Sequence, residues 1–221
     1  PNLRAALEKA LGKNEGDAIT KEDLAGLKEL IARNQGKADS SKISDLTGLQ
    51  NCKNLKHLNL SYNPNISDLS AISSLQNLSF LDLQGITSLV DITFLSNLVK
   101  LTELYIGYER VKLEDISPLS NLTSLKKLSI WHADVLDISK LSTLINLEYL
   151  TIAHNHKPIT DITFLQNLPK LKHLDLRGWE RPALKEVSPI KDLDNLDFLF
   201  LYTFPIYPTI HIRHFLHTEN R

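Results

Sequence analysis

An acidic residue followed by an aliphatic residue and then by Ser or Thr recurs seven times along the chain. Carboxylates beside hydroxyls are residue types that can transfer protons in general acid–base catalysis. A carboxylate that every copy of a repeat contains is more simply explained by the repeat itself. It can accept backbone N–H groups where the hydroxyl residue caps a short helical turn. We therefore expect a structural role for the acidic residues that begin the seven phrases, namely Asp45, Asp68, Asp91, Asp115, Asp137, Asp161 and Glu186.

Few other residues suggest catalysis or metal binding. Cys52 is the single cysteine, so the chain cannot form an internal disulfide, and its position in the repeat is one that is normally buried. His211, His214 and His217 are spaced by three, which can gather imidazoles around a metal ion. We favour instead a basic tail that covers the end of the fold. Because no Gly-rich phosphate loop, HExxH, CxxC or G-x-S-x-G motif is present, we expect no enzymatic activity, no cofactor and no resident metal.

The composition is that of a globular chain without a strongly charged partner. Lys and Arg total 25 against 26 Asp and Glu, a balance that argues against nucleic acid or an anionic membrane surface. No apolar run approaches the roughly 20 residues that cross a bilayer, so we expect no membrane insertion. The chain begins at Pro1 and contains no Met, from which we expect a fragment or a processed form.

A second periodic pattern, L-x-x-L-x-[LI], decides the fold. It occurs seven times, with steps of 22 to 25 residues between successive copies. Because alternate side chains of a strand point to opposite faces, the apolar residues of stacked copies join into one continuous core. We predict an α/β solenoid, a right-handed leucine-rich repeat horseshoe with a concave parallel β-sheet, short helical turns on the convex side and an α-helical N-terminal cap. The seven copies begin at Leu55, Leu78, Leu101, Leu125, Leu147, Leu171 and Leu196.

The two ends of the chain lack this pattern. We assign residues 1–42 to a helical N-terminal cap, residues 43–204 to seven repeats and residues 205–221 to a C-terminal cap or tail. In the cap, leucines spaced by four predict a first helix that stops near Gly12. The sequence Thr20-Lys21-Glu22-Asp23 resembles a capping box at the start of a second helix. The predicted apolar stripes are Leu3, Leu7 and Leu11 in the first helix and Leu24, Leu27, Leu30 and Ile31 in the second.

The outward-facing strand positions are rich in aromatic residues. Counted from the first leucine of each copy, positions +2, +4 and +6 point away from the core, and positions +1 and +7 flank them. These 35 sites hold nine of the fifteen Trp, Tyr and Phe residues, whereas an even distribution would place roughly two there. Stacking between adjacent strands is an alternative explanation of the excess. The same sites carry five basic and five acidic side chains, which does not fit a phosphate-tracking groove and is typical of protein interfaces.

We therefore predict that the concave face binds a protein partner. An acid–base site formed by Asp82, Glu103 and Asp175 is an alternative, since stacked coils can bring Asp82 and Glu103 together. Carboxylates on a binding face more often meet Lys or Arg of a partner. The predicted partner-binding residues are Tyr62, Phe80, Asp82, Glu103, Tyr105, Tyr108, Lys127, Trp131, Tyr149, Asp175, Arg177, Phe198, Phe200 and Tyr202.

The arrangement resembles the internalin-type bacterial surface proteins, in which a helical cap leads into repeats of about 22 residues. The similarity lies in the cap sequences Asn2-Leu3-Arg4-Ala5-Ala6-Leu7 and Ile19-Thr20-Lys21-Glu22-Asp23-Leu24, and in Ile43-Ser44-Asp45-Leu46-Thr47-Gly48-Leu49 followed by Cys52. Membership of this family implies secretion or attachment to a bacterial surface, and a role in adhesion and virulence. It also implies that the concave sheet recognises a host-cell receptor or extracellular protein. We expect the chain to be a monomer.

The leading hypothesis from the sequence is a non-enzymatic protein-recognition module of a bacterial surface or secreted protein. Intracellular leucine-rich repeat scaffolds and phosphatase regulators share the repeat, although the helical cap favours the internalin branch. A secretory signal in the parent gene would separate these two hypotheses. Carbohydrate binding is a third hypothesis, since aromatic platforms with Asp and Asn neighbours also suit sugar rings.

Overall fold

Eight short parallel strands form one curved, open sheet in which the strand order follows the sequence. The computed structural model describes residues 2–36, 38–108, 111–177, 188–191 and 193–200. The sheet, its short 3₁₀ turns and an N-terminal helix confirm the predicted leucine-rich repeat solenoid. The strands are β1 (Glu29–Ile31), β2 (His57–Asn59), β3 (Phe80–Asp82), β4 (Glu103–Ile106), β5 (Lys127–Trp131), β6 (Tyr149–Ala153), β7 (His173–Asp175) and β8 (Phe198–Phe200).

One leucine from every strand lies in the same register and builds the core. Leu58 of β2 pairs with Leu30 of β1 on one side and with Leu81 of β3 on the other. Burying each such side chain contributes about 1.5–3 kcal/mol, and a single coil cannot bury its own. Stacking is therefore what stabilises each coil. The column consists of Leu30, Leu58, Leu81, Leu104, Leu128, Leu150, Leu174 and Leu199, each at most 2% exposed.

Two helices close the first coil. Helix α1 (Asn2–Leu11) ends at Gly12, whose φ of 65° is the left-handed conformation that glycine adopts without steric cost. Helix α2 (Lys21–Gly26) begins with the predicted capping box: the backbone N–H of Asp23 donates to the Thr20 hydroxyl at 3.1 Å, and the Thr20 N–H donates to the Asp23 carboxylate at 2.8 Å. The buried residues of α1 are Leu3, Leu7 and Glu8.

Helix α2 is shorter than the predicted apolar stripe. Leu24 is helical, but the backbone is extended at Leu27, and Leu30 and Ile31 belong to β1. Leu30 is fully buried whereas Ile31 is 60% exposed, so the two side chains point to opposite faces, as in a strand. The prediction of a helical stripe that runs through Ile31 is therefore wrong. Residues 27–32 are an eighth copy of the strand pattern, in which Ala32 replaces the last leucine.

Each coil returns to the sheet through a 3₁₀ turn that the repeated aspartate introduces. In all six described phrases that begin with aspartate, the Oδ1 atom accepts the N–H of the residue two positions later at 2.8 Å. Hydrogen bonds from Ser70 hold the pKa of Asp68 below its usual value. The aspartates thus have the structural role that the repeat predicts. The Ser and Thr residues do not cap the turns as expected, because the aspartate supplies the acceptor and the N-cap residue is the intervening aliphatic residue.

In three coils the residue at position +4 ends the strand. Asn59, Asp82 and Asp175 each end a three-residue strand, and the side-chain Oδ1 of each accepts the N–H two residues later at 3.0 to 3.2 Å. This local bond withdraws an N–H group from the interstrand ladder. Strands of four or five residues have no such side chain at this position, where they carry Tyr105, Ser129 and Thr151.

The ends of the chain leave two predictions open. The described part contains no helix that is both long and apolar enough to cross a bilayer. Strand β1 lies inside the segment assigned to the cap, and the division into residues 1–42, 43–204 and 205–221 stays a prediction. The predicted binding residue Tyr202 and the three C-terminal histidines lie outside the described residues.

A buried asparagine links the first repeat to the cap. The Nδ2 atom of Asn63 donates to the carbonyls of Ala32 and Leu60 at 2.9 and 2.8 Å. Its Oδ1 atom accepts the backbone N–H of Ile43 at 2.7 Å. Asn155 makes the same kind of backbone bonds further along the solenoid and is 2% exposed. Such bonds satisfy backbone groups at turns that no strand partner reaches.

Replacing Asn63 by alanine should lower the free energy of unfolding by about 1–3 kcal/mol or more, because buried backbone donors and acceptors lose their partners. Urea denaturation followed by circular dichroism measures the change. Asn14→Ala, at an exposed site, is the matched control and should alter stability by less than about 0.5 kcal/mol. An Asn63→Ala variant as stable as this control would contradict the structural role.

Candidate protein-interaction surface

The concave face is the side of the sheet opposite the leucine column, and its side chains form three rows and a rim. The rows are the +2, +4 and +6 positions of successive coils, and the rim is the +7 position. Register places equivalent residues of adjacent strands side by side, about 4.8 Å apart. The described predicted residues are Phe80, Glu103, Lys127, Tyr149 and Phe198 in the first row, Asp82, Tyr105, Asp175 and Phe200 in the second, Trp131 and Arg177 in the third, and Tyr62 and Tyr108 on the rim.

Planar side chains stack at both ends of the first row. The His57 and Phe80 rings lie 3.9 Å apart and 5° from parallel. The His173 and Phe198 rings lie 4.2 Å apart and 2° from parallel. Such pairs contribute to sheet stability, so part of the aromatic excess has a structural role. Phe198 nevertheless remains 37% exposed, and therefore retains apolar surface that the chain itself does not cover.

Four bulky residues of the rim have a left-handed backbone. The φ angles are 61° at Tyr62, 88° at Tyr108, 53° at His132 and 55° at His154. Non-glycine residues avoid this region, and each such residue costs about 1–3 kcal/mol unless its surroundings compensate. The rings of Tyr62 and Tyr108 meet edge to face at 5.0 Å on either side of the Gly85 coil. The rim thus holds large side chains in a conformation that glycine would adopt more easily.

Trp131 is the centre of a second cluster, in the third row. The guanidinium of Arg177 lies 5.8 Å from the Trp131 ring and 4.4 Å from the Phe200 ring. The indole N–H donates to the Ser129 hydroxyl at 2.8 Å. In the preceding coil only glycine fits at residue 107, because a Cβ there would collide with the Trp131 backbone. The cluster therefore depends on a close approach between two strands.

Most charges near the centre of the concave face are paired within the chain. Ion pairs join Lys127 to Glu103 at 3.5 Å and Lys172 to Glu148 at 2.7 Å. The Tyr105 hydroxyl donates to Glu103 at 2.7 Å, and burial together with this neighbour raises the pKa of the phenol. A face on which most of the cations are already paired is unsuited to tracking a phosphate backbone.

The two predicted aspartates of the second row are less accessible than the sequence analysis assumed. Asp82 is 9% exposed and Asp175 is 4% exposed, because each bonds the backbone of its own strand end. Asp175 also receives two N–H groups from Arg177, at 2.9 and 2.6 Å. Asp82 has no such partner among the described Lys and Arg residues, and burial raises its pKa. The structure does not make Asp82 and Glu103 a proton-transfer pair, since no hydrogen bond joins them among the described contacts.

Three histidines gather at one end of the rim. The His132 and His154 rings are stacked at 4.9 Å, and the His156 ring lies 6.1 Å from that of His132. His156 also approaches the buried carboxylate of Asp134 at 3.3 Å. No group of three or more His, Cys, Asp or Glu side chains in the described ranges has the geometry to hold a metal ion.

The cavity that the structure describes on the concave face is small and shallow. The cavity on this face measures about 250 Å³ and is open, below the range of about 300–1,000 Å³ that is usual for ligand pockets. Cys52 is fully buried, and burial raises the pKa of its thiol to about 11, which disfavours the reactive thiolate. The cavity is lined by Thr102, Glu103, Lys126, Lys127, Glu148 and Tyr149.

The seven copies predicted from the sequence leave out the part of the face that β1 supplies. Glu29, Ile31 and Arg33 occupy the first, second and third rows of an additional coil. Arg33 lies over the Tyr62 ring at 5.2 Å. The eighth copy of the pattern escaped notice because alanine ends it and because 28 residues separate it from the next copy. Leu27 and Leu30 have the same L-x-x-L spacing as the other copies, and this spacing is the sequence signal for the eighth copy.

Comparison with known proteins agrees with this geometry. Residues 27–217 match the protein family described as a leucine-rich repeat region, so the chain belongs to the leucine-rich repeat proteins. Internalin C2 from Listeria monocytogenes, whose crystal structure is known, has 33% sequence identity to this chain. The match covers 89% of this chain and 90% of that chain, with a TM-score of 0.70. Within the leucine-rich repeat family the chain is therefore an internalin-like protein. A comparison with the curated proteins gives no significant match.

Two more distant structures share the fold. A second internalin (inlF) from Listeria monocytogenes is 23% identical, over 90% of this chain and 74% of that chain, with a TM-score of 0.57. A leucine-rich repeat protein from Leptospira interrogans is 22% identical, over 83% of this chain and 50% of that chain, with a TM-score of 0.58. At this identity they support the architecture alone.

The rim histidines make stability depend on pH. Burial, with the other cationic groups nearby, lowers the pKa of His132 and His154 below the ordinary value of about 6.5, so the folded chain binds fewer protons than the unfolded chain. Stability should be complete above that value and should fall as the pH is lowered towards the folded-state pKa values. We expect urea denaturation at about pH 5.5 to give a lower free energy of unfolding than at about pH 7.5.

The matched variant replaces both His132 and His154 by Asn, which does not titrate and tolerates a left-handed backbone. Its free energy of unfolding should fall less between the same two pH values. An unchanged pH dependence in the double variant would show that these two rings are not responsible.

Proposed function

We propose that this internalin-like chain is a non-enzymatic recognition module of a bacterial surface or secreted protein, and that it binds a host protein through the concave face. The observation that carries the proposal is the exposure of aromatic rings on that face. Tyr108, Tyr149 and Phe198 retain 46%, 41% and 37% of their surface. Large amphipathic rings of this kind act as anchors in protein interfaces.

The backbone of the rim supports the same function. Tyr62 and Tyr108 keep a left-handed backbone at a position where glycine would be less strained. Backbone strain of this sort concentrates at binding sites. A shallow, charge-balanced face with aromatic anchors fits a protein surface better than a small molecule or a nucleic acid.

Several parts of the proposal come from the internalin-type family rather than from the geometry. These are the location on the bacterial surface or outside the cell, the host origin of the partner, and a role in adhesion and virulence. We propose a monomer with no cofactor. The alternative is an intracellular scaffold or phosphatase-regulator-like subunit, which the parent gene would favour if it encodes no secretory signal.

Replacing Trp131 or Tyr149 by alanine should weaken the binding of a host protein by at least about 1 kcal/mol, roughly fivefold, because central aromatic residues contribute most of the affinity of an interface. Candidate partners are captured from host-cell extracts with the wild type, and their affinity for each purified variant is then measured by surface plasmon resonance. Ile145→Ala is the matched control, since this residue is 53% exposed but lies outside the concave rows.

Retention of wild-type affinity by both aromatic variants would disprove the assignment of the concave face. A loss of affinity in Ile145→Ala alone would move the interface to another side of the solenoid. A glycan array that gives hits dependent on Trp131 would favour the carbohydrate hypothesis instead.

A further inference from the structure

Two coils of the concave face carry an aspartate in the second row, and among the described residues only one of the two is contacted by a cation. The guanidinium of Arg177 binds Asp175 with its Nε and Nη2 atoms, at 2.9 and 2.6 Å. At Asp82 no Lys or Arg nitrogen lies within 4 Å in the described ranges. The two carboxylates are therefore equivalent in the repeat and different in their charge balance.

An aromatic ring of the next coil completes the site that holds the Arg177 guanidinium. Asp175 lies beside Phe200 in the sheet register. The guanidinium is 4.4 Å from the Phe200 ring while it holds the carboxylate. A planar cation is well suited to such a site, since it can donate two N–H groups to the carboxylate while its face lies on the ring.

The same arrangement of an aspartate beside an aromatic ring of the next coil occurs at Asp82, where no described Lys or Arg contacts the carboxylate. Asp82 lies beside Tyr105 in the register, as Asp175 lies beside Phe200. The position that corresponds to Arg177 is Gln84, which is uncharged. The Tyr105 hydroxyl is bonded to Glu103 at 2.7 Å, so a second carboxylate also lies near the ring.

Asp82 keeps 9% of its surface exposed, on the concave side of the sheet. Asp175 is 4% exposed with the guanidinium of Arg177 bound to it, so part of its burial is due to that side chain. Asp82 accepts one N–H from Asn59 at 3.1 Å and one from Gln84 at 3.0 Å, and the Ser61 side chain also interacts with it. A carboxylate has about four acceptor sites, so these groups leave room for a further donor.

We propose that Asp82 and the ring of Tyr105 bind an arginine side chain of the protein partner, in the place that Arg177 fills at Asp175. This inference deepens the proposed function, on which it rests, by naming the side chain that one part of the concave face recognises. Burial raises the pKa of Asp82, and a guanidinium in contact with the carboxylate would oppose that shift.

Arg33 is the one described cation that could compete for this role. Its guanidinium lies 5.2 Å from the Tyr62 ring and donates to the side chain of Gln35. It influences Asp82 electrostatically without contacting it. An Arg33→Gln variant therefore tests whether Arg33 occupies the Asp82 carboxylate in the free protein.

The test titrates the full chain with N-acetyl-arginine methylamide and follows the Asp82 carboxyl and Tyr105 ring signals by NMR. We expect saturable shifts at millimolar probe, and binding about tenfold weaker for the isosteric but neutral N-acetyl-citrulline methylamide. Asp82→Asn should lose the preference for arginine while it keeps the fold, because Asn59 makes the same strand-ending bond in the preceding coil.

Gln84→Arg is the converse variant. It places an arginine at the position of Arg177, and should lower the pKa of Asp82 and abolish probe binding. Arg33→Gln should leave probe binding intact. Binding that appears only in Arg33→Gln would mean that Arg33 already occupies Asp82, and would overturn the inference. Equal shifts with arginine and citrulline, or with arginine and the corresponding lysine amide, would overturn it as well.

The failure of this inference can be told apart from failure of the proposed function. If the probe ignores Asp82 while Trp131→Ala still loses a protein partner, only the arginine site is wrong. If Trp131→Ala and Tyr149→Ala bind that partner normally, the concave-face assignment is wrong whatever the probe does.

Discussion

The burial of one leucine per coil against the leucine of the next coil is the constraint on which the rest of the structure depends. Because side chains alternate along a strand, a slip of one residue would turn Leu58 to solvent and bring His57 into the core. The buried column therefore fixes the register of the whole sheet. The same register fixes the concave face: His57 stacks on Phe80 since Leu58 lies beside Leu81.

The concave face combines parts that stabilise the fold with parts that strain it. Stacked rings, and the ion pair between Lys127 and Glu103, connect neighbouring strands. Tyr62 and Tyr108 adopt a backbone conformation that costs free energy, and the surrounding coils hold them in it.

A residue type can have different roles in the same repeat position. Asn59, Asp82 and Asp175 all end a strand by bonding their own backbone, a role that depends only on a side-chain oxygen. The carboxylates add a charge that this role does not need. Arg177 neutralises that charge at Asp175, whereas Gln84 does not at Asp82. The difference between two equivalent coils is thus more informative than either coil by itself.

The sequence by itself determined the class of fold and the rows of outward residues, because a period of 22 to 25 residues and the alternation of a strand can both be counted. Only the tertiary structure decided that Leu30 is in a strand and not in α2, since the three residues of β1 are held as a strand by their pairing with β2. It also decided that Asp175 is neutralised and that Tyr108 is strained. Those properties depend on neighbours in other coils and on the backbone angle, which spacing along the chain does not specify.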